Sequence, residues 1–345
     1  MIKLLVIGGL PDKKRKFGYG GATVLMQNFV DFLDTQDIYY RFIQTNKFFK
    51  NDGSANTILN YLYFFVKLII FLPWCNTVMF NFSDHATVYL YPKLVLLSKF
   101  FRKKIVLRKF GGSLGIYLSN KSNTLKTNTY SAINKADLIL LETQASILDA
   151  YKYIDSKKIT CFPNNRCSVP EKCSEIYSKH FVFISHILDE KGVADILDVA
   201  KRLPSDFIIT LYGPIKDNKY HNFNWLAYNV TYGGILNSDE VVKTLSNNNI
   251  LLLTSYREGQ PGIIIEAMSC GLPCISTNVG GIPELVNDMN GILINPGDKK
   301  ALEQAILNIS QESYLIMRKN AIQIFSQTFE SKKINTSILK KILNL

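Results

Sequence analysis

The stretch ILLLTSYREGQPGIIIEAMSCGLPCISTNVGGIP, Ile250 to Pro283, decides the reading of the fold. Ile250 to Thr254 is a short apolar run closed by a hydroxyl, as expected of a strand buried on both faces. A polar loop, Ser255 to Pro261, follows. Gly262 to Ser269 reads as a helix, Cys270, Gly271 and Pro273 break it, and Cys274 to Thr277 starts another strand. Strand, loop, helix, turn and strand make a βαβ unit, with Glu258 in its loop and Glu266 in its helix.

In an open α/β sheet, ligands bind at the carboxyl ends of the strands, which is where Glu258 falls. The amides of Gly262, Ile263 and Ile264 would be free donors at a helix N-terminus and suit a phosphate or diphosphate. Glu266, one turn further on, is within reach of vicinal hydroxyls carried on that phosphate, such as those of a ribose. Taken alone, an arbitrary pair of acids is more often two solvated surface charges, because isolated carboxylates are mostly exposed.

The surrounding residues extend the pattern. Glu258, Gly259, Pro261, Glu266, Ala267, Met268, Gly271, Pro273, Gly280, Gly281, Pro283 and Glu284 resemble the EG-x-P-x4-EAM-x2-G-x-P…GG-x-PE signature of family 4 (group 1) glycosyltransferases. These are retaining, nucleotide-sugar-dependent enzymes with the GT-B fold. The resemblance implies an α/β chain of two Rossmann-like domains facing a central cleft, with a C-terminal helix packing back on the N-terminal domain. It also implies roles: Glu258 beside the transferred sugar, with Gly259 next to it, and Glu266 on the ribose.

At 345 residues the chain exceeds one ordinary domain, so two lobes are expected. The net charge of +12 favours anionic partners such as nucleotide phosphates or an acidic membrane. It would permit nucleic acid too, but the cations are scattered and no nucleic-acid-binding module is recognisable, so none is expected. Six cysteines are too few for a disulfide scaffold, and Met1 to Gly9 reads as a strand rather than a signal peptide; a cytoplasmic setting is expected. Cys161, Cys167 and Cys173 recur without histidines or a C-x2-C pair, and the chain has no D-x-D motif, so neither a zinc site nor an essential divalent metal is expected, and no cofactor.

The N-terminal half begins with a strand, Ile2 to Ile7, and reaches Gly20 and Gly21 before a periodic helix. Missing side chains there let backbone approach a ligand. The spacing does not fit the dinucleotide fingerprint. In the family that Gly20 and Gly21 resemble, a glycine pair at this place contacts the donor diphosphate. Ile58 to Trp74 is the most hydrophobic stretch but is interrupted by Lys67 and stopped by Pro73, short of the ~20 residues a membrane-spanning helix needs. A core-packed helix is the first reading and a membrane-dipping one the second. A helix from Tyr89 to Phe101 is followed by Arg102, Lys103, Lys104, Arg108 and Lys109, which suit an anionic membrane surface or the C-terminal end of a helix dipole. Lys109 to Ser113 makes a loop on the expected acceptor side, with Phe110 where many members of the resembled family carry a histidine.

Pro163-Asn164-Asn165-Arg166 resembles the PN motif ending the family's N-terminal lobe. The expected division is therefore 1–168 for the N-terminal domain, 169–180 for a linker, 181–322 for the C-terminal domain and 323–345 for the returning helix, anchored by Phe325 and Phe329. Ser185 to Val193 resembles the family's GR-x4-KG segment, whose arginine and lysine hold the donor diphosphate. Lys191 matches the lysine, whereas Ser185 and His186 replace glycine and arginine. A neutral imidazole offers one donor where guanidinium offers a permanently charged fork, so diphosphate binding should be weaker or pH-sensitive.

The implied function is retaining transfer of a sugar from a UDP- or GDP-sugar to a hydroxyl of a glycan or lipid-linked acceptor in cell-surface polysaccharide synthesis. The resemblance implies that Lys191 and Glu258 carry the chemistry. Two alternatives stay open at this level: a non-catalytic GT-B protein acting as a membrane-associated partner, and a sugar-nucleotide epimerase.

Overall fold

A computed structural model describes residues 2–11, 21–45 and 55–344, the side chains of residues 55–58 and 60 excepted. These residues divide into two compact units. The first takes the chain up to Pro163 and again from Lys332; the second is Asn164–Ser331.

The first unit is a six-stranded parallel sheet in the order β2-β1-β3-β4-β5-β6. Its strands are β1 (Lys3–Gly8), β2 (Tyr39–Gln44), β3 (Thr77–Phe82), β4 (Lys104–Lys109), β5 (Leu138–Leu141) and β6 (Ile159–Cys161). The crossovers carry α1 (Gly21–Asp34), α2 (Ala55–Phe71), α3 (Asp84–Tyr89), α4 (Tyr91–Phe100), α5 (Leu114–Leu118), α6 (Asn123–Ile133) and α7 (Gln144–Ala150). Alternation along the strands sends Leu5, Ile7, Val78, Phe80, Ile105 and Leu107 to one face, under α2 and α4, and Leu4, Val6, Met79 and Val106 to the other, under α1.

The helix expected over Tyr89 to Phe101 is α4, Tyr91–Phe100, and an unexpected second helix, α3, precedes it and ends at Tyr89. Pro92 stands in the first turn of α4, where its missing N–H is harmless, and the chain stops and restarts at Leu90. Helix α2 forms as expected and buries Phe64 and Leu68. Its other side stays bare, with Leu59, Leu62, Val66, Ile69 and Ile70 between 43% and 61% exposed. No described helix is long and apolar enough to cross a membrane.

The five cations after α4 separate sharply, which corrects their reading as one surface patch. Arg108 and Lys109 are buried; in a parallel strand covered on both faces even the terminal side chains point into packed layers. Lys104 donates to the Ile342 carbonyl at 2.6 Å, and Lys103 to the Cys75 carbonyl at 2.7 Å.

The second unit repeats the plan, with strand order β12-β11-β10-β7-β8-β9. The strands are β7 (His180–Ile184), β8 (Ile208–Tyr212), β9 (Val230–Tyr232), β10 (Ile250–Leu253), β11 (Cys274–Thr277) and β12 (Gly291–Ile294). The helices are α8 (Val193–Ala200), α9 (Ser238–Ser246), α10 (Gly262–Cys270), α11 (Lys299–Leu307) and α12 (Gln311–Ile324). Beyond α12 a π-helical turn, Phe325–Phe329, gives way to an extended Glu330 and then to α13 (Ser331–Leu343). The break has a local cause: the Arg166 amide donates to the Phe329 carbonyl at 3.1 Å, and the Ser331 amide donates to the Arg166 carbonyl at 2.9 Å.

Phe325 and Phe329 pack into the core of the second unit, so they are not the anchors of the returning helix. Those anchors are Ile338, Leu339, Ile342 and Leu343 of α13, which close over Leu4, Val6, Met26 and Phe29 within the first unit.

Candidate functional site

In the second sheet β10 lies beside β7, so the loops leaving their carboxyl ends are neighbours. This brings together two residues 67 positions apart. The Lys191 ammonium donates to Glu258 Oε1 at 2.6 Å, and Ser255 Oγ donates to the same oxygen at 2.7 Å. Both charged side chains are largely but not fully covered, 21% exposed for Lys191 and 13% for Glu258. Gly192, next to the lysine, has φ of +75°, and a Cβ there would overlap the Thr254 carbonyl, so only glycine permits this approach of the two loops.

His186 sits on the same loop and is exposed at the surface. Its imidazole is held below the ordinary histidine range by partial desolvation and by the charges of Lys216 and Lys191, with Glu258 opposing them. Ser185 follows β7 directly, and its amide donates to the Tyr212 carbonyl of β8 at 3.1 Å.

Helix α10 opens at Gly262 after Pro261, with no side-chain cap. The Ile264 amide turns onto the Pro261 carbonyl at 3.3 Å, leaving Gly262 and Ile263 to present their amides at the first turn. The loop before it is fixed from several sides. Asn164 donates its backbone amide to Gln260 Oε1 and its side-chain amide to the Gln260 carbonyl, both at 2.6 Å, and the Gly281 amide donates to the Gly259 carbonyl at 2.7 Å.

Glu266 has a partner that the sequence did not announce. Arg166 Nε donates to Glu266 Oε1 at 2.5 Å, and a Cβ on Gly262 would overlap the same guanidinium. Arg166 is buried and its Nη1 also donates to the Asn165 carbonyl at 3.0 Å. A cation thus lies along the first turn of α10, its charge balanced by Glu266. The only signal in the sequence was the arginine ending Pro163-Asn164-Asn165-Arg166; nothing local indicates that it reaches across 100 positions.

Of the glycine pair, Gly20 lies outside the described residues, and Gly21 is the first residue of α1, with no atom of the described residues within 4 Å of where a Cβ would be. The loop after β4 in the first unit is built on buried charge. Lys109 pairs with Asp84 at 2.7 Å and donates to the carbonyls of Gly111 and Gly112, while Glu142 Oε2 accepts from the Gly111 amide at 2.8 Å. Burial pushes the Glu142 carboxyl up to about 7, against the pull of Arg108 and the Gly111 amide. Arg108 is sandwiched between Phe162, with its ring centre 3.6 Å away, and Phe110 at 4.7 Å; none of its three nitrogens has a hydrogen-bond partner among the described residues. Phe110 therefore faces inward onto a guanidinium, and His85 packs against Tyr89 at 4.7 Å.

Two parallel α/β units of this kind define the GT-B fold, and solved structures agree. HepE of Anabaena in complex with UDP superposes with a TM-score of 0.76 at 19% identity over 100% of both chains. Sucrose-phosphate synthase of Thermosynechococcus elongatus gives 0.75 at 14% identity over 100% of this chain and 99% of that one. Within this fold, residues 178–312 match the family described as Glycosyl transferases group 1, the group whose signature Glu258 to Glu284 resembles. Among curated relatives, N-acetyl-alpha-D-glucosaminyl L-malate synthase of Bacillus anthracis is 37% identical over 28% of this chain and 26% of its own length. The UDP-Gal:alpha-D-GlcNAc-diphosphoundecaprenol alpha-1,3-galactosyltransferase of Escherichia coli is 28% identical over 49% of each. The chain thus spans about half or less of the length of these two relatives.

Proposed function

We propose that this protein is a glycosyltransferase that moves a sugar from a nucleotide diphosphate sugar, UDP- or GDP-linked, to an acceptor hydroxyl with retention of anomeric configuration. The observation that carries the reading is the Lys191–Glu258 pair beside the first turn of α10, inside the segment that matches the group 1 family. Departure of a diphosphate is the main barrier of such a reaction, and fixed donors aimed at developing negative charge lower it. Lys191, His186 and the amides of Gly262 and Ile263 supply those donors. The backbone of Ser185, Gly259 and Ile264 borders the donor, and Glu266, oriented by Arg166, takes the ribose hydroxyls. Glu258 would bind the sugar's hydroxyls or stabilise positive charge at the anomeric carbon once the diphosphate draws Lys191 away.

The acceptor is a glycan or lipid-linked intermediate of cell-surface polysaccharide synthesis, and the reaction runs in the cytoplasm without a metal or other cofactor. The E. coli relative, named for a UDP-Gal donor and a diphosphoundecaprenol-linked acceptor, supports this choice. The test is to incubate the protein with a panel of UDP- and GDP-sugars and lipid-linked acceptors, in chelator, and to follow nucleotide diphosphate release and the anomeric configuration of the product. Failure to bind any nucleotide sugar would sink the reading; inversion would remove the retaining part of it.

A further inference from the structure

Helices α2 and α4 lie on one face of the first sheet and share one core. Phe64, Leu68 and Leu72 from the α2 segment and Tyr91, Leu94 and Val95 of α4 belong to the same core on that face. Their carboxyl ends are tied together by Lys103, which donates to the carbonyls of Pro73 and Cys75. The inner stripes of both helices are accounted for by this packing. The outer ones are not.

On α2, Leu59, Leu62, Val66, Ile69 and Ile70 recur at three- and four-residue spacing and are 43% to 61% exposed; on α4, Leu96 is 56% and Phe100 81% exposed. Single exposed apolar residues are ordinary, but seven on two helices of one face form a patch that implies a partner.

The charge around the patch says which partner. Neither helix contains an acidic residue: α2 reads ANTILNYLYFFVKLIIF and α4 reads YPKLVLLSKF, carrying Lys67, Lys93 and Lys99. Arg102 and Lys103 follow at the end of α4, and Arg41 is stacked over Phe71 and Trp74 at 4.8 and 4.6 Å, at the end of α2. Lys99 pairs with Asp137 at 3.1 Å. Apolar side chains ringed by cations match the two layers of an anionic lipid surface, head-group phosphates outside and acyl chains beneath.

We infer that the α2–α4 face docks in the plane of an anionic bilayer, with Leu62, Ile69 and Phe100 entering the acyl boundary and Lys93 and Arg102 meeting the head groups. The inference goes beyond sugar transfer, because it rests on residues remote in sequence from Lys191 and Glu258, and vesicle binding is measured without a sugar donor.

The test is sedimentation of the full chain with vesicles of phosphatidylcholine alone and of phosphatidylcholine mixed with phosphatidylglycerol. The protein should bind the mixed vesicles and not the neutral ones. A Leu62→Glu, Ile69→Glu, Phe100→Glu variant should lose at least about tenfold in partitioning, about 1.4 kcal/mol. It should keep its thermal midpoint, since the three side chains are exposed. A second variant, Lys93→Glu with Arg102→Glu, should lose binding without touching the apolar patch. Equal binding to neutral vesicles, no binding to either, or full binding by the triple variant would overturn the inference. So would a dimer in light scattering that the triple variant converts to monomer, because the face would then be covered by a second copy.

Discussion

Replacing Glu258 by glutamine should tighten binding of the nucleotide diphosphate while reducing sugar transfer. The geometry behind this is the 2.6 Å contact that ties Lys191 to Glu258. In the unliganded protein the lysine is already neutralised, so a diphosphate must draw it from a carboxylate and then sit near that carboxylate. At an effective dielectric of about 40, between a protein surface site and bulk water, two negative charges about 7 Å apart repel by about 1 kcal/mol. Removing one of them should strengthen binding roughly fivefold. Glutamine keeps an acceptor for Ser255 Oγ, so the fold loses only one partly exposed, charge-assisted bond, about 1 kcal/mol. Isothermal titration with UDP and GDP, in parallel with turnover on the cognate donor, reads both effects. A Glu258→Gln variant that binds the nucleotide tenfold more weakly than wild type would refute the reasoning, because Lys191 could not then be the phosphate ligand that Glu258 holds in reserve.

Three further outcomes are expected. His186 resists protonation in the unliganded fold, so the stability tied to it is present above its ordinary value of 6.5 and is lost as pH falls below it. A diphosphate bound beside it reverses that preference, so nucleotide affinity should rise as pH drops through this range, and His186→Gln should flatten the profile in titrations at several pH values. Glu142 has the opposite sign: its carboxyl is raised from 4.5 to about 7, so its contribution is full below 4.5 and lost as pH rises to about 7. Urea unfolding across that interval should show the decline, and Glu142→Gln should remove it. Ile342→Ala, at a fully buried position of α13, should cost about 2–5 kcal/mol in urea unfolding.

In the second unit the strands on either side of α10 are legible in the sequence, because Gly, Pro and short apolar runs punctuate it. Gly271 and Pro273 end α10 as expected, and Glu258 falls at the carboxyl end of β10, where such a loop binds ligands. What stayed hidden depends on pairing across the chain. Arg166 reaches Glu266 over 100 positions, and no local pattern encodes that reach. Arg108 and Lys109 follow three exposed or half-exposed cations in the sequence, yet they are buried, because depth is set by what covers the strand end rather than by composition. The three-residue β6 is too short for a periodic signal. Pro92 marks the first turn of α4 in the sequence, whereas the six-residue α3 before it is too short to leave a periodic signal.

Helix α13 also governs the order in which the chain can become a protein. Its anchoring residues are synthesised only after the whole Asn164–Ser331 segment, yet they cover Leu4, Val6, Met26 and Phe29 near the start. During translation, the second unit has its complete core before the first does, and the earliest-made sheet waits with an uncovered hydrophobic side. Chains of this kind present sticky surface to the cell for the duration of that wait. The nascent first unit is therefore the natural client for a chaperone at the ribosome, and a premature stop anywhere in the second unit leaves the first without its lid.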